Sequence, residues 1–463
     1  LTVFNGNIYF AATTSASGME LWQTNGTTAG TILLKDINPG VNGSAPELLT
    51  PMLDGTIDVL HFVADNGALG RELWLSDGTT SGTLLLQDLH SGPQGSNISE
   101  IIDITSNFEY IIGDINTTAD FGVEIGTIIR GNGGGSLFIA NEINVGTLDS
   151  NPEHVFKVGS GEFIYLAAQS PTLGIELYQK ANLSQAFPSM VSDINPTGDS
   201  NPNHFITFNG KVYFSADDGT NGVVLFEIVP GVANSLALIE TIETGEKIIF
   251  NNKIYFAAND ATNGVELWES DGTTSGTQIV LNLNAGSASS FPTDFTLYNN
   301  RLYFTATNAA LGTELFYVNG AGNIINAANI NPGAGNSNPS ELIEYNGKLY
   351  FTADDGTNGV ELWETAGTAL STVMTANINT AGSSNPSGLT VLNDELFFSA
   401  FGNSSPSGVE LWKYKDPTLS TEEFLTTHLE IYPNPITNTF HIKTQELINQ
   451  VSIYDLQGKL VKH

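Results

Sequence analysis

Residues 264–277 read GVELWESDGTTSGT and residues 70–83 read GRELWLSDGTTSGT, one phrase used twice. A second phrase, ADDGTNGV, stands at 216–223 and again at 353–360. Working outward from these, the Glu of the Glu-Leu-Trp core recurs, with variants, at Glu20, Glu72, Glu124, Glu176, Val224, Glu266, Glu314, Glu361 and Glu410. The steps are 52, 52, 52, 48, 42, 48, 47 and 49 residues, a period that belongs to propellers and arrays. All five tryptophans of the chain, Trp22, Trp74, Trp268, Trp363 and Trp412, sit two residues after that position. The other copies place Gly126, Tyr178, Phe226 and Phe316 there. A large ring at one repeating position marks packing against an equivalent neighbour in each copy.

One unit, residues 291–337, shows the local structure. Phe295 to Tyr298 is a short apolar run, and Asn299-Asn300 is a two-residue hairpin turn. RLYFTA, residues 301–306, is β-rich. TELFYV, residues 313–318, alternates polar and apolar. A fourth run, 324–330, ends at the turn Asn331-Pro332-Gly333. Four short strands joined by tight turns predict a propeller blade. One such sheet cannot bury both faces alone, and stacking blades in a ring buries each on its neighbours. The expected fold is therefore all-β: a β-propeller of eight or nine four-stranded blades over residues 1–415. The last copy ends after its third strand near Lys415, and a strand from before Leu1 is expected to complete it.

The chain has 463 residues, 40% of them hydrophobic, which is the composition of a globular protein. It contains no cysteine, which excludes thiolate metal sites, cysteine nucleophiles and disulfides. Acidic residues outnumber basic ones by 49 to 15, for a formal charge of −34, and no basic cluster exists to hold nucleic acid. The charge fits solubility outside a cell, with divalent-cation binding as the alternative reading. No run of 18 apolar residues occurs, so no transmembrane segment is expected. No signal peptide is found, and the opening LTVFNGNIYF reads as strand, as in a mature or trimmed product.

The repeat resembles the ELWxxDGT repeat of secreted bacterial proteins common in the Bacteroidota. The signature reads ELWLSDGTTSGT at 72–83, ELWESDGTTSGT at 266–277 and ELWQTNGTTAGT at 20–31, with Asn25 in place of Asp. ELWETAGTALST at 361–372 replaces it with Ala366, and the copies around Glu124 and Glu176 lack the DGT half. The resemblance implies an extracellular propeller and no particular ligand.

After a linker at 416–427, residues 428–463 change character. LEIYPNPITNTFHI, 429–442, precedes VSIYDLQGKLVK, 451–462. This resembles the type A C-terminal sorting domain of the type IX secretion system. The matching residues are Tyr432, Pro433, Asn434, Pro435 and Phe440, then Ile453, Tyr454, Asp455 and Gly458. The resemblance implies a secreted or outer-surface protein handled by the type IX translocon and its outer-membrane shuttle. It also implies a small β-sandwich, of which the sequence carries the start.

Catalytic motifs are lacking. The seven histidines are scattered, and no HExxH, GxSxG or P-loop pattern occurs. A Glu used eight times over is a structural hydrogen-bond acceptor rather than a catalyst. Asp217-Asp218 and Asp354-Asp355 sit among Gly and Asn, which suits turn chemistry and, as the alternative, calcium. No other cofactor is expected. The functional expectation is a binding, adhesion or scaffold module for a surface glycan or protein, without enzymatic activity. The alternative is a glycan-active hydrolase or lyase. That alternative requires a non-repeating carboxylate pair with a basic neighbour in the central pocket, and the sequence displays no such constellation.

Overall fold

The computed structural model describes residues 1–52, 58–105, 108–114, 122–130, 136–141, 143–144, 149–159, 163–181, 185, 187–403 and 408–416, together with the backbone of 430–432, 441–443, 453–454 and 460–462. The chain divides into two compact units, Leu1–Tyr414 and Lys415–His463.

Each copy of the repeat is an antiparallel meander. In blade 1 the strands are Thr2–Phe4, Asn7–Thr14, Gly18–Thr24 and Ile32–Lys35, hydrogen-bonded in that order. Blades 2 to 8 repeat the pattern over 47–87, 100–141, 153–192, 203–240, 243–281, 293–328 and 340–376. Blade 9 has three strands among the described residues, Ser387–Leu392, Glu395–Phe401 and Val409–Tyr414. The fold is the all-β propeller expected, with nine blades. Its only helix among the described residues is two single 3₁₀ turns, Thr274–Gly276 and Ala369–Ser371. The hairpin between the first two strands demands positive φ at both turn residues. Asn209 and Gly210 take 49° and 77° there, and Asn299 and Asn300 take 47° and 54°.

In blades such as 2, 5, 7 and 8 the second strand is buried on both faces because a blade lies on each side. Tyr9 and Leu21 of blade 1 pack with Leu60, Phe62, Ala64 and Trp74 of blade 2. Tyr213 and Leu225 of blade 5 meet Ile254, Phe256, Ala258 and Trp268 of blade 6 in the same way. The repeated Trp thus covers the preceding blade. The first strands of neighbouring blades contact one another from blade 4 through blade 9 and on through blade 1 to blade 3, forming the inner wall of the ring. Ile8 of blade 1 packs with Leu392 and Phe397 of blade 9.

The rest of the signature locks one blade to the next. In seven blades the repeated Glu is buried, and Glu410 of blade 9 is exposed. Glu20 accepts hydrogen bonds from the amides of Ile37 and Asn38 (both 3.0 Å) and from the Ser44 hydroxyl, which opens blade 2. Glu266 does the same with Leu283, Asn284 and Ser290, and Glu361 with Ile378, Asn379 and Ser384. A buried carboxylate is tolerable only when its lone pairs are used this way. Blade 5 shows the other solution, with Val224 at the Glu position and Ile242 at the Ser position, both buried. In the DGT half, Asp77 Oδ1 accepts from the Thr79 amide (2.8 Å) and hydroxyl (2.7 Å). The next Thr reaches across: the Thr80 hydroxyl donates to the Leu34 carbonyl and that of Thr274 to the Ile239 carbonyl, both at 2.7 Å. Gly272, at φ 91°, lies where a Cβ would stand 2.4 Å from Tyr213 Oη of the preceding blade.

Lys415–His463 contains two two-stranded ladders. One pairs Glu430–Tyr432 with His441–Lys443, and the other pairs Ile453–Tyr454 with Leu460–Lys462. No helix among the described residues is long and apolar enough to cross a membrane.

Candidate functional site

Each acidic pair singled out in the sequence straddles the end of a second strand, Asp217 and Asp354 closing the strand and Asp218 and Asp355 opening the loop to the third. Asp217 Oδ1 accepts from the Gly219 amide at 2.7 Å. Asp218 accepts from the amides of Thr220 (2.8 Å) and Asn221 (2.6 Å) and from the Asn221 side chain (2.7 Å). Asp354 and Asp355 repeat this with Gly356, Thr357 and Asn358. In blade 6 Asn259 holds the first position and bonds the Ala261 amide at 2.9 Å, so a neutral amide serves as well as a carboxylate. Burial pushes the Asp355 carboxyl up, and the bonds from Asn358 and Thr357 outweigh it and hold the group below the usual range. Among the described residues no three His, Asp or Glu side chains are placed to hold a metal ion.

Of the tryptophans, Trp74, Trp268 and Trp363 are buried, whereas Trp22 and Trp412 are half-buried. In the tail, Tyr432, Ile453 and Tyr454 fall on strands. Pro433, Asn434, Pro435, Phe440, Asp455 and Gly458 lie outside the described residues.

The inner wall carries a constellation that the sequence reading missed. The first strand of a blade is bulged near its start, and its second residue takes a left-handed conformation. These residues are Leu48 (φ 53°), His154 (54°), His204 (49°), Asp294 (56°), Glu341 (58°) and Gly388 (65°). Each coincides with a shift of register against the second strand. An extra residue bends the strand and re-aims a side chain. The identities differ from blade to blade, so this position breaks the symmetry that the Glu, Ser and aromatic positions keep.

The wall carries charges of both signs. A cavity of about 490 Å³ spans four successive blades and is lined by Glu246, Asp294, Phe295, Glu341, Leu342 and Leu389. Three carboxylates from blades 6, 7 and 8 therefore border one space. Glu341 Oε2 also accepts from the Gly388 amide of blade 9 at 3.1 Å. On the other side, burial first, then the charges of Lys247 and His154, hold His204 below the usual histidine range. Lys247 donates to Ser215 Oγ at 2.5 Å and to the Gly245 carbonyl at 3.0 Å. Burial pushes its ammonium down to about 7. Basic groups of blades 4 to 6 and carboxylates of blades 4, 6, 7 and 8 thus share this wall, with His154 lying 3.9 Å from Glu153. The signal available in the sequence was variability: seven residues before the RLYFTA-type strands of blades 5, 7, 8 and 9 stand His204, Asp294, Glu341 and Gly388, with no residue type repeated and hence no recurrent phrase to mark the position.

Residues 430–463 match the family model described as Secretion system C-terminal sorting domain. The type IX sorting tail read from the sequence is thereby supported, and the chain is exported to the cell surface or secreted. The chain matches no curated protein. Among solved structures it is similar to the computationally designed Ika8 protein, at 13% identity and a TM-score of 0.42, over 80% of this chain and 98% of that one. It is similar to a puromycin hydrolase S511A mutant at 10% identity and TM-score 0.41, over 77% of this chain and 58% of that one. A puromycin-hydrolyzing peptidase of Mycobacterium tuberculosis gives 7% and 0.39, over 77% and 58%. The chain thus spans little more than half of each hydrolase. The expectation of a chain without enzymatic activity is corrected here, since two of these three structures are hydrolytic enzymes. Likeness at this level assigns no activity in its place.

Proposed function

We propose that this exported propeller is a binding module of the cell surface, serving adhesion or scaffolding, and that the mouth of its inner channel takes the ligand. In this reading the chain is a type IX cargo delivered by the translocon and its outer-membrane shuttle, and its repeat is of the ELWxxDGT kind found in the Bacteroidota. The observation that carries the reading is the strained backbone at the second residue of the first strands. Left-handed φ costs a non-glycine residue roughly 1–2 kcal/mol. Gly388 supports the reading from the other side: this backbone accepts glycine, yet five blades keep a side chain there. Strain retained at variable, inward positions fits function better than folding. Carboxylates beside Lys247 and the histidines suit a hydroxyl-rich ligand such as a surface glycan.

The test is a glycan array probed with the chain and with the double variant Glu246→Gln, Asp294→Asn. Bound glycans should be held at least about tenfold more weakly by the variant, the scale of one lost charge-assisted hydrogen bond. Equal binding by both proteins would remove the channel mouth from the reading.

A further inference from the structure

Lys247 stands at a register where other blades are apolar. Ile248 lies opposite Tyr255 of the second strand, and Lys247 precedes it. By the same pairing the corresponding residues of blades 2, 4, 5, 7, 8 and 9 are Leu49, Val155, Phe205, Phe295, Leu342 and Leu389. Each of these packs into the core cluster that its blade shares with the preceding one. In blade 6 the seam with blade 5 receives an amine instead. Lys247 Nζ reaches Ser215 Oγ of blade 5 at 2.5 Å, the Gly245 carbonyl at 3.0 Å and Thr244 Oγ1 at 3.5 Å. The two hydroxyls lie 2.6 Å apart on buried residues.

The amine lacks a counter-charge. Four other lysines of the ring each hold a glutamate: Lys211 with Glu227 (2.7 Å), Lys253 with Glu269 (2.6 Å), Lys348 with Glu364 (2.8 Å) and Lys413 with Glu395 (3.0 Å). Among the described residues no carboxylate forms an ion pair with Lys247, and the charge it acts on, His204, is itself basic. A desolvated ammonium without a carboxylate sheds its proton readily, in accord with the burial that pushes Lys247 down. The residue is nevertheless half-buried rather than sealed, on a first strand of the inner wall. A lysine desolvated in this way and set beside another cationic group is a nucleophilic amine.

We propose that Lys247 is a covalent binding site for a hydroxyaldehyde, the chemistry of an open-chain reducing sugar, held as an imine. The free amine adds through its lone pair to the carbonyl carbon, and the carbonyl oxygen takes one of the two amine protons. The hydroxyl so formed leaves as water with the second proton. A C=N bond thereby replaces C=O, and neither oxidant nor reductant is consumed. The Ser215 and Thr244 hydroxyls are placed to carry these protons, and the Gly245 carbonyl orients the amine. This goes beyond the channel-mouth reading and does not depend on it.

The full chain is incubated at neutral pH with glyceraldehyde, and in parallel with lactose. Sodium cyanoborohydride supplies the hydride that fixes an imine as a secondary amine, and peptide mass mapping locates and quantifies the labelled lysines. Lys247 should be labelled at least about tenfold more than Lys211 or Lys253, because an ordinary lysine, with a pKa of about 10.4, is almost wholly protonated there. The preference should vanish when the chain is unfolded in guanidinium chloride before labelling. Lys247→Met, which puts an apolar residue where six other blades have one, should keep the melting temperature and the labelling of the other lysines. Labelling of Lys247 by lactose as well as glyceraldehyde assigns the site to the end of a glycan, and labelling by glyceraldehyde alone assigns it to a free small aldehyde. Labelling of Lys247 no greater than that of Lys211 and Lys253, or a preference that survives unfolding, overturns the proposal.

Discussion

At the scale of single residues, the repeated glutamates are alike in sequence and unlike in environment. Glu20, Glu266 and Glu361 each receive two turn amides and a serine hydroxyl. For Glu72, burial outweighs the bonds from the Leu89 amide and Ser96 and pushes the carboxyl up to about 7. Its folded pKa then exceeds the unfolded value near 4.3. The native state binds the extra proton between these limits, so the stability this group contributes is present below about pH 4 and lost as pH rises through 7. Glu72→Gln should therefore flatten the fall in melting temperature between pH 4.5 and 7 relative to the unsubstituted chain. An identical pH profile for the two proteins would contradict the assignment. Repetition alone revealed that these glutamates are structural. The serine partner, 23 to 26 residues further on, was not legible, because nothing in the sequence says which hydroxyl folds back onto which carboxylate. His61 was hidden for the same reason: it pairs with Glu109 at 2.8 Å, buried between blades 2 and 3.

At the scale of the element, the strands and hairpins were readable because period-two alternation and Asn-rich turns act locally. The inner bulges were not, since a bulge is defined by the partner strand and leaves no local mark in a run such as TDFTLY. The DGT phrase was recognised as a motif, and the structure supplies its reason: it grips the preceding blade. Gly272→Ala places a methyl group 2.4 Å from Tyr213 Oη and forces a left-handed alanine. It should cost about 1–3 kcal/mol, from backbone strain and overpacking together. Gly286→Ala is the control, because its added Cβ meets nothing within 4 Å and its φ of 96° imposes a similar backbone strain. Denaturant midpoints of the two variants separate the contact between blades from the strain. Equal losses would show that the glycine serves its own turn only.

At the scale of the whole molecule, the propeller and the tail answer to different demands. A sorting segment must be readable once its cargo has folded, and the tail forms a compact unit of its own, Lys415–His463. Deleting residues 415–463 in a cell with the matching secretion system should leave a folded, protease-resistant ring that stays inside. Surface display of the shortened chain would contradict the role of the tail. If the channel mouth takes the ligand, its strained residues are kept for what they touch rather than for what they hold together. The direct measurement is thermal unfolding of the triple variant His154→Gly, His204→Gly, Asp294→Gly. Relief of left-handed strain, roughly 1–2 kcal/mol at each site, exceeds the roughly 0.5–1 kcal/mol that a glycine adds in unfolded-chain entropy. The expected melting temperature equals or exceeds that of the unsubstituted chain, and a clear fall would contradict a role of these side chains in binding rather than folding.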